Sequence, residues 1–180
     1  MIIRPFESSD ASALAAIYGH HVLHGLGTFE ETPPTDSEMA RRAQGVLALG
    51  LPYLVAEESG VAGFAYAGAF RPRAAYRYTV EDSVYVAPER VGQGVGKALL
   101  SAVIDRCEAR GLRQMIAIIG DRGNAGSIAL HRSLGFEHRG VVSGVGFKHG
   151  RWVDVIWMQR PLCEGDHEAP SGPGLSLPGG

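Results

Sequence analysis

The sequence has few of the features that mark membrane, disulfide-linked or nucleic-acid-binding proteins. No run approaches about 18 consecutive apolar residues, and there are two cysteines with no CxxC pair. The charges nearly cancel, because 17 lysines and arginines face 19 aspartates and glutamates for a net charge of −2. We therefore expect no transmembrane segment, no disulfide framework, no structural zinc site and no affinity for nucleic acid or membranes. The N-terminus opens Met-Ile-Ile-Arg-Pro without a signal-peptide pattern, which favours the cytoplasm.

The composition predicts one globular domain. The chain has 180 residues, 45% of them hydrophobic, with 25 glycines, which is typical of a protein with one core and many loops. The last segment, CEGDHEAPSGPGLSLPGG, offers almost nothing to bury. We assign residues 1–162 to the domain and residues 163–180 to a disordered Gly/Pro-rich tail.

Apolar spacing along residues 1–162 predicts the order β α α β β β α β α β β. The runs 53–56 and 61–68 alternate like an antiparallel hairpin. Residues 95–110 have helical spacing, and the continuous apolar run 115–119 suits a strand that is buried on both faces. The fold class is therefore α/β with a sheet of mixed polarity.

The segment VYVAPERVGQGVGKALL, from Val84 to Leu100, predicts a ligand site between a strand and a helix. Three glycines at alternate positions, Gly92, Gly94 and Gly96, free backbone N–H groups to point into one concavity at a helix N-terminus. A pyrophosphate fits such a site, although a tight turn with packing glycines is an open alternative. The glycine spacing matches neither a Walker A loop nor the dinucleotide-binding GxGxxG fingerprint.

This segment and IIGDRGNAGSIALHRSLGF, in that order, resemble the acetyl-CoA-binding core of the GCN5-related N-acetyltransferases (GNAT). The runs YAGAF, RAAYRYTVE, SVYV and GFKHGRWVDV are similar to the phosphinothricin acetyltransferase branch of that superfamily. The resemblance covers about residues 1–160. It implies a GNAT fold, α/β (α+β), with a central mixed, mostly antiparallel sheet of six to seven strands, four helices, and a split between strands 4 and 5. It also implies a homodimer.

The resemblance implies acetyl-CoA as co-substrate and an amino-acid analogue such as phosphinothricin, methionine sulfoximine or methionine sulfone as acceptor, with resistance to such a compound as a role. The residues implied to bind acetyl-CoA are Val84, Tyr85, Val86, Val91, Gly92, Gln93, Gly94, Val95, Gly96, Lys97, Asn124 and Ser127. Most members carry Arg or Gln three residues before Gly94, where this chain has Val91. We therefore expect weaker cofactor affinity, with Arg90 and Lys97 supplying the local positive charge.

Acetyl transfer to an amine needs a proton acceptor for the amine and a proton donor for the departing thiolate. The resemblance implies Glu81 as the base, directly or through a water, and His131 as the acid at a position where most of the superfamily has Tyr. A solvated strand-edge carboxylate and a satisfied helix histidine are the respective alternatives. Asn124 has a second possible role as a helix cap.

Recognition of an anionic substrate calls for a guanidinium group. The residues implied to bind the substrate are Arg73, Tyr76, Tyr78, Phe29, Glu30 and His149, the last from this chain or from a partner subunit. Each has a solvated surface position as its alternative. No metal site is predicted, because nothing completes a ligand set around the three histidines His20, His21 and His24. Two functions stay open beside this one: acetylation of another amine, such as a polyamine, an aminoglycoside or a protein N-terminus, and non-catalytic acyl-CoA binding.

Overall fold

A computed structural model describes residues 1–177 and contains one seven-stranded sheet. The strands are β1 (Ile2–Pro5), β2 (Tyr53–Glu57), β3 (Val61–Ala69), β4 (Thr79–Val86), β5 (Gln114–Gly120), β6 (Glu137–Lys148) and β7 (Arg151–Pro161). Their order across the sheet is β1-β2-β3-β4-β5-β7-β6. All neighbours are antiparallel except β4 and β5, which are parallel. The predicted mixed, mostly antiparallel sheet is confirmed.

The four predicted helices are present. They are α1 (Ala11–His24), α2 (Asp36–Ala48), α3 (Val95–Ala109) and α4 (Ala125–Ser133). Their ends follow local chemistry: the Thr35 hydroxyl accepts the Glu38 N–H at 3.2 Å to cap α2, and Gly111 follows α3 with a positive φ of 75°. Within residues 1–177, no helix is both long and apolar enough to cross a membrane.

The central strands of the sheet are buried on both faces, whereas the edge strand β6 is largely exposed. Helices α1 and α2 pack on one face around Leu14, Ala43 and Phe64, and α3 packs on the other around Leu99, Leu100 and Val103. The strand alternation explains this division, because successive side chains of β3 and β4 point to opposite faces. The central strands are thereby held rigidly from both sides.

Strands β4 and β5 separate after a short paired stretch. Only Thr79, Val80 and Glu81 pair with β5, opposite Gln114 to Ile116. Beyond Glu81 the two strands diverge, and the loop after α1 approaches the end of β5, where the Leu26 carbonyl lies against Gly120. The split between the fourth and fifth strands opens a cleft through the middle of the sheet, as the sequence predicts.

The C-terminal segment differs from the prediction of a disordered tail over the part that the structure describes, 163–177. Leu175 is buried in the core cluster on the α3 face at 3% exposure, and its N–H donates to the Arg77 carbonyl at 2.8 Å. The Tyr78 hydroxyl donates to the Gly172 carbonyl at 2.6 Å. Leu177 packs against the same cluster, and Arg113 donates to the Gly165 and Glu168 carbonyls, so a few contacts anchor a segment that is otherwise poor in apolar residues. The end of the predicted tail, 178–180, lies outside the described residues.

Candidate active site

The cleft between β4 and β5 has a volume of about 1110 Å³. Its walls are the second half of β4, the glycine-rich loop with the first turn of α3, the end of β5 and the first turns of α4. A roof loop, defined here as residues 25–35 between α1 and α2, lines it through residues 25–29. The cleft therefore joins the predicted cofactor loop to the predicted catalytic residues.

The backbone of β4 presents unpaired polar groups to this cleft at alternate residues. The bonds from the Ala87 N–H to the Ala62 carbonyl and from the Phe70 N–H to the Thr79 carbonyl fix which β4 residues bond to β3. By this alternation Val84 and Val86 turn their N–H and carbonyl groups toward the split. They can therefore accept an extended ligand as an added strand.

Tyr85 corrects the prediction that three consecutive residues offer their backbone to the cofactor. Its backbone pairs with Phe64 of β3, so only its two neighbours, Val84 and Val86, direct their backbone groups to the cleft side, where the Val86 carbonyl accepts from His21. Its ring also lines the cleft and packs against Tyr18 of α1, with centroids 4.8 Å apart. The contribution of Tyr85 is therefore its side chain, because a strand directs its backbone bonds to alternate sides.

The glycine-rich loop has the conformation that its composition requires. Gly92 and Gly94 have φ of 81° and 82°, in the left-handed region that favours glycine, and a Cβ atom at either would meet nothing within 4 Å. The constraint is thus on backbone conformation. The first N–H groups of α3, from Val95 to Lys97, have no partner within the helix and form an anion site beside the cleft.

The side chains around this loop have different placements. Val91 is exposed and offers no charge, while Lys97 and Arg90 line the cleft, and Arg90 is held by Glu58. Gln93 does not line the cleft, and its side-chain amide donates to the Glu89 carbonyl at 2.9 Å. The side chain of Gln93 thus points away from the cleft, and cofactor binding by Gln93 stays a prediction that would concern its backbone.

Glu81 lies where the two strands begin to separate, half-buried and on the cleft. Burial raises the pKa of its carboxyl group, and the nearby charge of Asp82 raises it further, while Arg71 opposes both. A carboxylate with a raised pKa is a better proton acceptor near neutral pH than an ordinary one. The environment of Glu81 is thus that of a candidate base.

His131 lies in α4, buried against the cleft, and both of its ring nitrogens have partners. Nδ1 lies 2.7 Å from the Ser127 carbonyl oxygen, and Nε2 lies 3.0 Å from Oδ2 of Asp82. Burial lowers the pKa of His131, but the hydrogen bond and charge of Asp82 outweigh it and, with the Ser127 carbonyl, leave that pKa above its ordinary value. The imidazole is held ready to carry a proton, although neither N–H points freely into the cleft.

Asn124 and Ser127 line the cleft at the start of α4. The Asn124 side-chain oxygen accepts the Ser127 N–H at 3.2 Å, so the helix-capping role is present. Capping and cofactor contact are compatible, because the cap leaves the Asn124 amide nitrogen available.

The roof loop carries two of the predicted substrate residues, and they face different ways. Phe29 lines the cleft and lies on Gly146 of β6, where a Cβ atom would come within 2.3 Å of its ring. Glu30 does not line the cleft, because its carboxylate accepts hydrogen bonds from Arg42 at 2.7 and 3.1 Å and from the Tyr18 hydroxyl at 2.8 Å. In this structure Glu30 anchors the roof loop to α1 and α2.

The other predicted substrate residues do not line the cleft of the single chain. Arg73 is exposed before the short 3-10 turn Ala74–Tyr76, and Tyr76 packs edge-on against Phe70. Tyr78 is engaged by the C-terminal segment, as described above. His149 is exposed in the turn between β6 and β7 with φ of 51°. One chain therefore brings together the predicted cofactor and catalytic residues, but not the predicted substrate set.

Three residues beside the cleft were missed by sequence reasoning. Asp82 is buried on the face of β4 that otherwise carries valines, and a charged residue at an apolar position of an alternating strand is a signal that could have found it. His21 of α1 bonds through Nε2 to the Val86 carbonyl at 2.9 Å, and burial lowers its pKa, so the ring is neutral and Nε2 donates. Lys148 is buried at 2% exposure, with Nζ donating to the Thr28 carbonyl at 2.7 Å.

The histidines of α1 do not assemble a ligand set. Within residues 1–177, no group of three or more histidine, cysteine, aspartate or glutamate side chains is arranged to hold a metal ion. The rings of His20 and His24 contact each other at a tilt of 48°, with centroids 4.7 Å apart.

Comparisons with known proteins agree with this geometry. Residues 21–136 match the Acetyltransferase (GNAT) family. A phosphinothricin N-acetyltransferase from Alcaligenes faecalis is 53% identical over 169 residues, covering 93% of this chain and 86% of that protein. An L-methionine sulfoximine/L-methionine sulfone acetyltransferase from Salmonella typhimurium is 44% identical over 172 residues, covering 94% and 98% of the two chains.

A solved structure shows the same fold. The GNAT superfamily phosphinothricin acetyltransferase from Sinorhizobium meliloti, in complex with AcCoA, superposes with a TM-score of 0.91 at 50% identity, covering 94% of this chain and 92% of that one. The split sheet, the glycine-rich loop and these matches lead to one conclusion: the chain belongs to the GNAT family of acetyltransferases.

Proposed function

We propose that this acetyltransferase moves the acetyl group of acetyl-CoA to the amino group of a small amino-acid analogue such as phosphinothricin, methionine sulfoximine or methionine sulfone. The observation that carries the proposal is the cleft at the β4/β5 split, where cleft-facing backbone groups of β4 and the α3 N-terminus meet the half-buried carboxylate of Glu81. The names of the relatives support the choice of acceptor.

The cleft fits acetyl-CoA in its polarity and shape. The pantetheine amides would pair with the backbone of Val84 and Val86, continuing the sheet across the split. The pyrophosphate would lie on the N–H groups at the start of α3, beside Lys97. Because Val91 supplies no charge, these N–H groups and Lys97 carry most of the anion binding, which supports the expected weaker affinity.

The reaction uses two proton transfers. Glu81 takes a proton from the substrate ammonium, directly or through a water, so that the amine nitrogen can attack the thioester carbonyl. A cleft-facing N–H of β4 polarises that carbonyl while negative charge develops on its oxygen. The C–N bond forms, the C–S bond breaks, and the departing thiolate takes a proton whose source we assign to His131 and its partners.

Substrate recognition would need a second chain. Arg73, Tyr76, Tyr78 and His149 lie outside the cleft of one chain, so we infer a homodimer that completes the acceptor pocket. The β6–β7 edge supports this assembly, because it exposes five large apolar side chains: Val141, Val142, Val145, Phe147 and Trp152. Light scattering tests it: a mass of two chains is expected, and a monomer at micromolar concentration contradicts it. The cytoplasmic location stays a prediction.

The experiment that tests the function is a steady-state thiol-release assay with acetyl-CoA. The acceptor panel is phosphinothricin, methionine sulfoximine and methionine sulfone, with polyamines, aminoglycosides and N-terminal peptides as the competing class. High kcat/KM confined to the zwitterionic analogues supports the proposal. Equal or greater activity on polyamines or peptides overturns the acceptor, and acetyl-CoA binding with no turnover favours an acyl-CoA-binding protein without catalysis.

A further inference from the structure

Asp82 and His131 form a buried hydrogen-bonded pair beside the cleft. A carboxylate and an imidazole are an unusual combination for a contact that serves only packing. Their side chains are only 2% and 5% exposed, and they join β4 to α4 across 49 positions of sequence. Within residues 1–177, Oδ1 of Asp82 is buried with no hydrogen-bond partner. Because a buried carboxylate is costly to keep ionised, its retention here calls for a reason other than packing.

The hydrogen bonds of His131 fix how many protons the pair holds. The Ser127 carbonyl can only accept, so Nδ1 carries a hydrogen at its 2.7 Å contact. The 3.0 Å contact between Nε2 and Asp82 then needs a second hydrogen, on the imidazole or on the carboxyl group. A neutral imidazole beside an ionised carboxylate would set two lone pairs against each other at one of these contacts. The observed hydrogen bonds of His131 and Asp82 therefore require one proton more than a neutral imidazole and an ionised carboxylate carry together.

The side chains that surround Asp82 and His131 do not compete with the pair for this proton. From α3, the Cys107 thiol faces Asp82, and burial together with the Asp82 charge raises its pKa to about 12, so it stays neutral. Glu81 is the neighbour on β4, and the Phe136 ring packs nearly perpendicular to the imidazole, with ring centroids 5.0 Å apart. Among residues 1–177, His131 is the one basic side chain within salt-bridge distance of Asp82.

The hydroxyl of Ser127 gives this proton a route to the cleft. Its Oγ lies 3.4 Å from Nδ1 of His131, on the first turn of α4, and Ser127 lines the cleft. The Nδ1 hydrogen is thus shared between the Ser127 carbonyl and, more weakly, its hydroxyl. A hydroxyl can accept one hydrogen while giving another, which neither the carbonyl nor the carboxylate can do.

We propose that Asp82 and His131 store the proton that the departing thiolate receives, and that the hydroxyl of Ser127 delivers it. This inference rests on the proposed function. As the C–S bond breaks, its electron pair stays on sulfur; sulfur takes the Ser127 hydroxyl hydrogen, and Oγ takes the Nδ1 hydrogen of His131. The imidazole is left neutral, with Nε2–H donating to ionised Asp82. Ser127 is then a catalytic residue, and Asp82 acts as a positioning residue through His131.

The test is Asp82→Asn, which keeps size and hydrogen bond but removes the stored proton. The asparagine N–H can donate to Nε2, so the neutral imidazole becomes the stable form. We expect an unchanged Kd for acetyl-CoA, a kcat at least about tenfold lower, and an alkaline limb of the kcat profile moved to lower pH. The control is Asp105→Asn, on the exposed side of α3, which should change none of these. Wild-type kcat and pH profile in Asp82→Asn overturn the proposal.

Ser127→Ala tests the route separately. It should lower kcat at saturating acetyl-CoA while leaving the alkaline limb in place, because the store is intact and only delivery is lost. Since Ser127 is also predicted to contact acetyl-CoA, Kd is measured alongside kcat. A wild-type kcat in this variant overturns the role of the hydroxyl. An effect on Kd alone would assign Ser127 to cofactor binding and overturn the route in the same way.

A measurement on the wild-type protein needs neither variant nor acceptor. The imidazole ¹⁵N signals of His131 and the carboxyl ¹³C signal of Asp82, read by NMR at pH 7.5, report where the hydrogens are. A hydrogen on Nδ1 and a second one on Nε2 or Asp82 supports the store, whereas a neutral imidazole beside an ionised carboxylate overturns it. Failure of the proposed function is distinguishable, because it appears as wild-type silence toward all amino-acid analogues.

Discussion

At the scale of single residues, Glu81 and Asp82 show how strand alternation gives neighbouring carboxylates different surroundings. Glu81 stays half-exposed on the cleft, where burial and the charge of Asp82 raise its pKa. Asp82 points to the opposite face and is covered by α3 and α4. One carboxylate is therefore half-exposed to a substrate, while the other is buried in the cleft wall and hydrogen-bonded to His131.

Glu81→Gln should remove the base while keeping the shape of the side chain. We expect kcat to fall by about 10²- to 10⁴-fold, the usual range for a lost proton-transfer group, with little change in acetyl-CoA affinity. In the wild type, kcat/KM should fall as the pH drops through the raised pKa of Glu81, because the base must be ionised. This acidic limb should vanish in the variant. Full activity in Glu81→Gln, measured against Glu89→Gln as control, would remove Glu81 from the chemistry.

Arg73→Ala tests the exposed guanidinium that we assign to the substrate carboxylate. Loss of a bidentate ion pair should raise KM for an amino-acid acceptor by about tenfold or more, the equivalent of about 1.4 kcal/mol. Acetyl-CoA affinity should stay as in the wild type, because Arg73 does not line the cofactor cleft. Equal effects on both constants, from initial-rate kinetics and calorimetry, would contradict the assignment.

At the scale of elements, the ligand site is made by backbone as much as by side chains. The split leaves the cleft-side backbone groups of Val84 and the N–H of Val86 without a strand partner, while the Val86 carbonyl accepts from His21. The loop before α3 turns the first helical N–H groups toward the same space. No side chain of β4 indicates, from the sequence, that these backbone groups form a ligand site. The glycines of the loop do, because their left-handed conformation is open to few other residues.

Gly94→Ala should weaken cofactor binding through the backbone. An alanine at φ of 82° costs about 1–2 kcal/mol, although its Cβ would meet no neighbour. We expect the loop to shift and Kd for acetyl-CoA to rise by about tenfold. Gly45→Ala is the matched control: it lies on an exposed helical position of α2, where alanine should stabilise by about 0.5–1 kcal/mol without changing Kd. An unchanged Kd in Gly94→Ala would show that this conformation is not needed.

Lys148→Met should make the roof loop more mobile without leaving a cavity at the buried position of Lys148. Methionine fills similar space, but the bond from Nζ to the Thr28 carbonyl is lost. We expect faster amide exchange over residues 26–30 and a KM for the acceptor raised by about tenfold, about 1.4 kcal/mol. Arg139→Met, at an exposed position of β6, is the control. Exchange rates as slow as in the wild type would mean that Glu30 and its partners hold the loop alone.

At the scale of the whole molecule, residues far apart in sequence pack together to complete the core. The C-terminal segment packs in the core through Leu175, and it contacts Arg77 and the predicted substrate residue Tyr78, just before β4. The exposed β6–β7 edge is the place where a second chain is expected. The fold and the cofactor cleft thus belong to a single chain, whereas the acceptor pocket is expected to need two chains.

Leu175→Ala tests whether the C-terminal segment is docked in solution. Removing a buried leucine side chain should lower the free energy of unfolding by about 2 kcal/mol, measured by urea denaturation. Leu23→Ala is the control, since Leu23 is 52% exposed and should change stability by no more than about 0.5 kcal/mol. Equal, small effects on the free energy of unfolding in both variants would indicate that the segment is disordered in solution, as its composition predicts.

The fold and the cofactor loop could be predicted from the sequence because their signals are local. Apolar periodicity placed the strands and helices within a few residues of their observed ends, and the glycine spacing marked the loop before α3. The family resemblance supplied the split and the positions of Glu81 and His131. The split is observed, and the roles of both residues stay predictions.

The sequence alone thus determined the elements, because apolar spacing and turn residues act within one turn or one strand, and its motifs indicated the family. The candidate catalytic residues came from that resemblance, and their roles stay predictions. Tertiary structure decided which backbone groups face the cleft, and it corrected Tyr85 because a ladder alternates its bonds. It also brought Asp82 to His131 and Leu175 to the core, contacts between residues too distant in sequence for any periodicity to reveal. Burial then set their chemistry, because the pKa of an ionisable group depends on the water and charges that folding removes or brings near it.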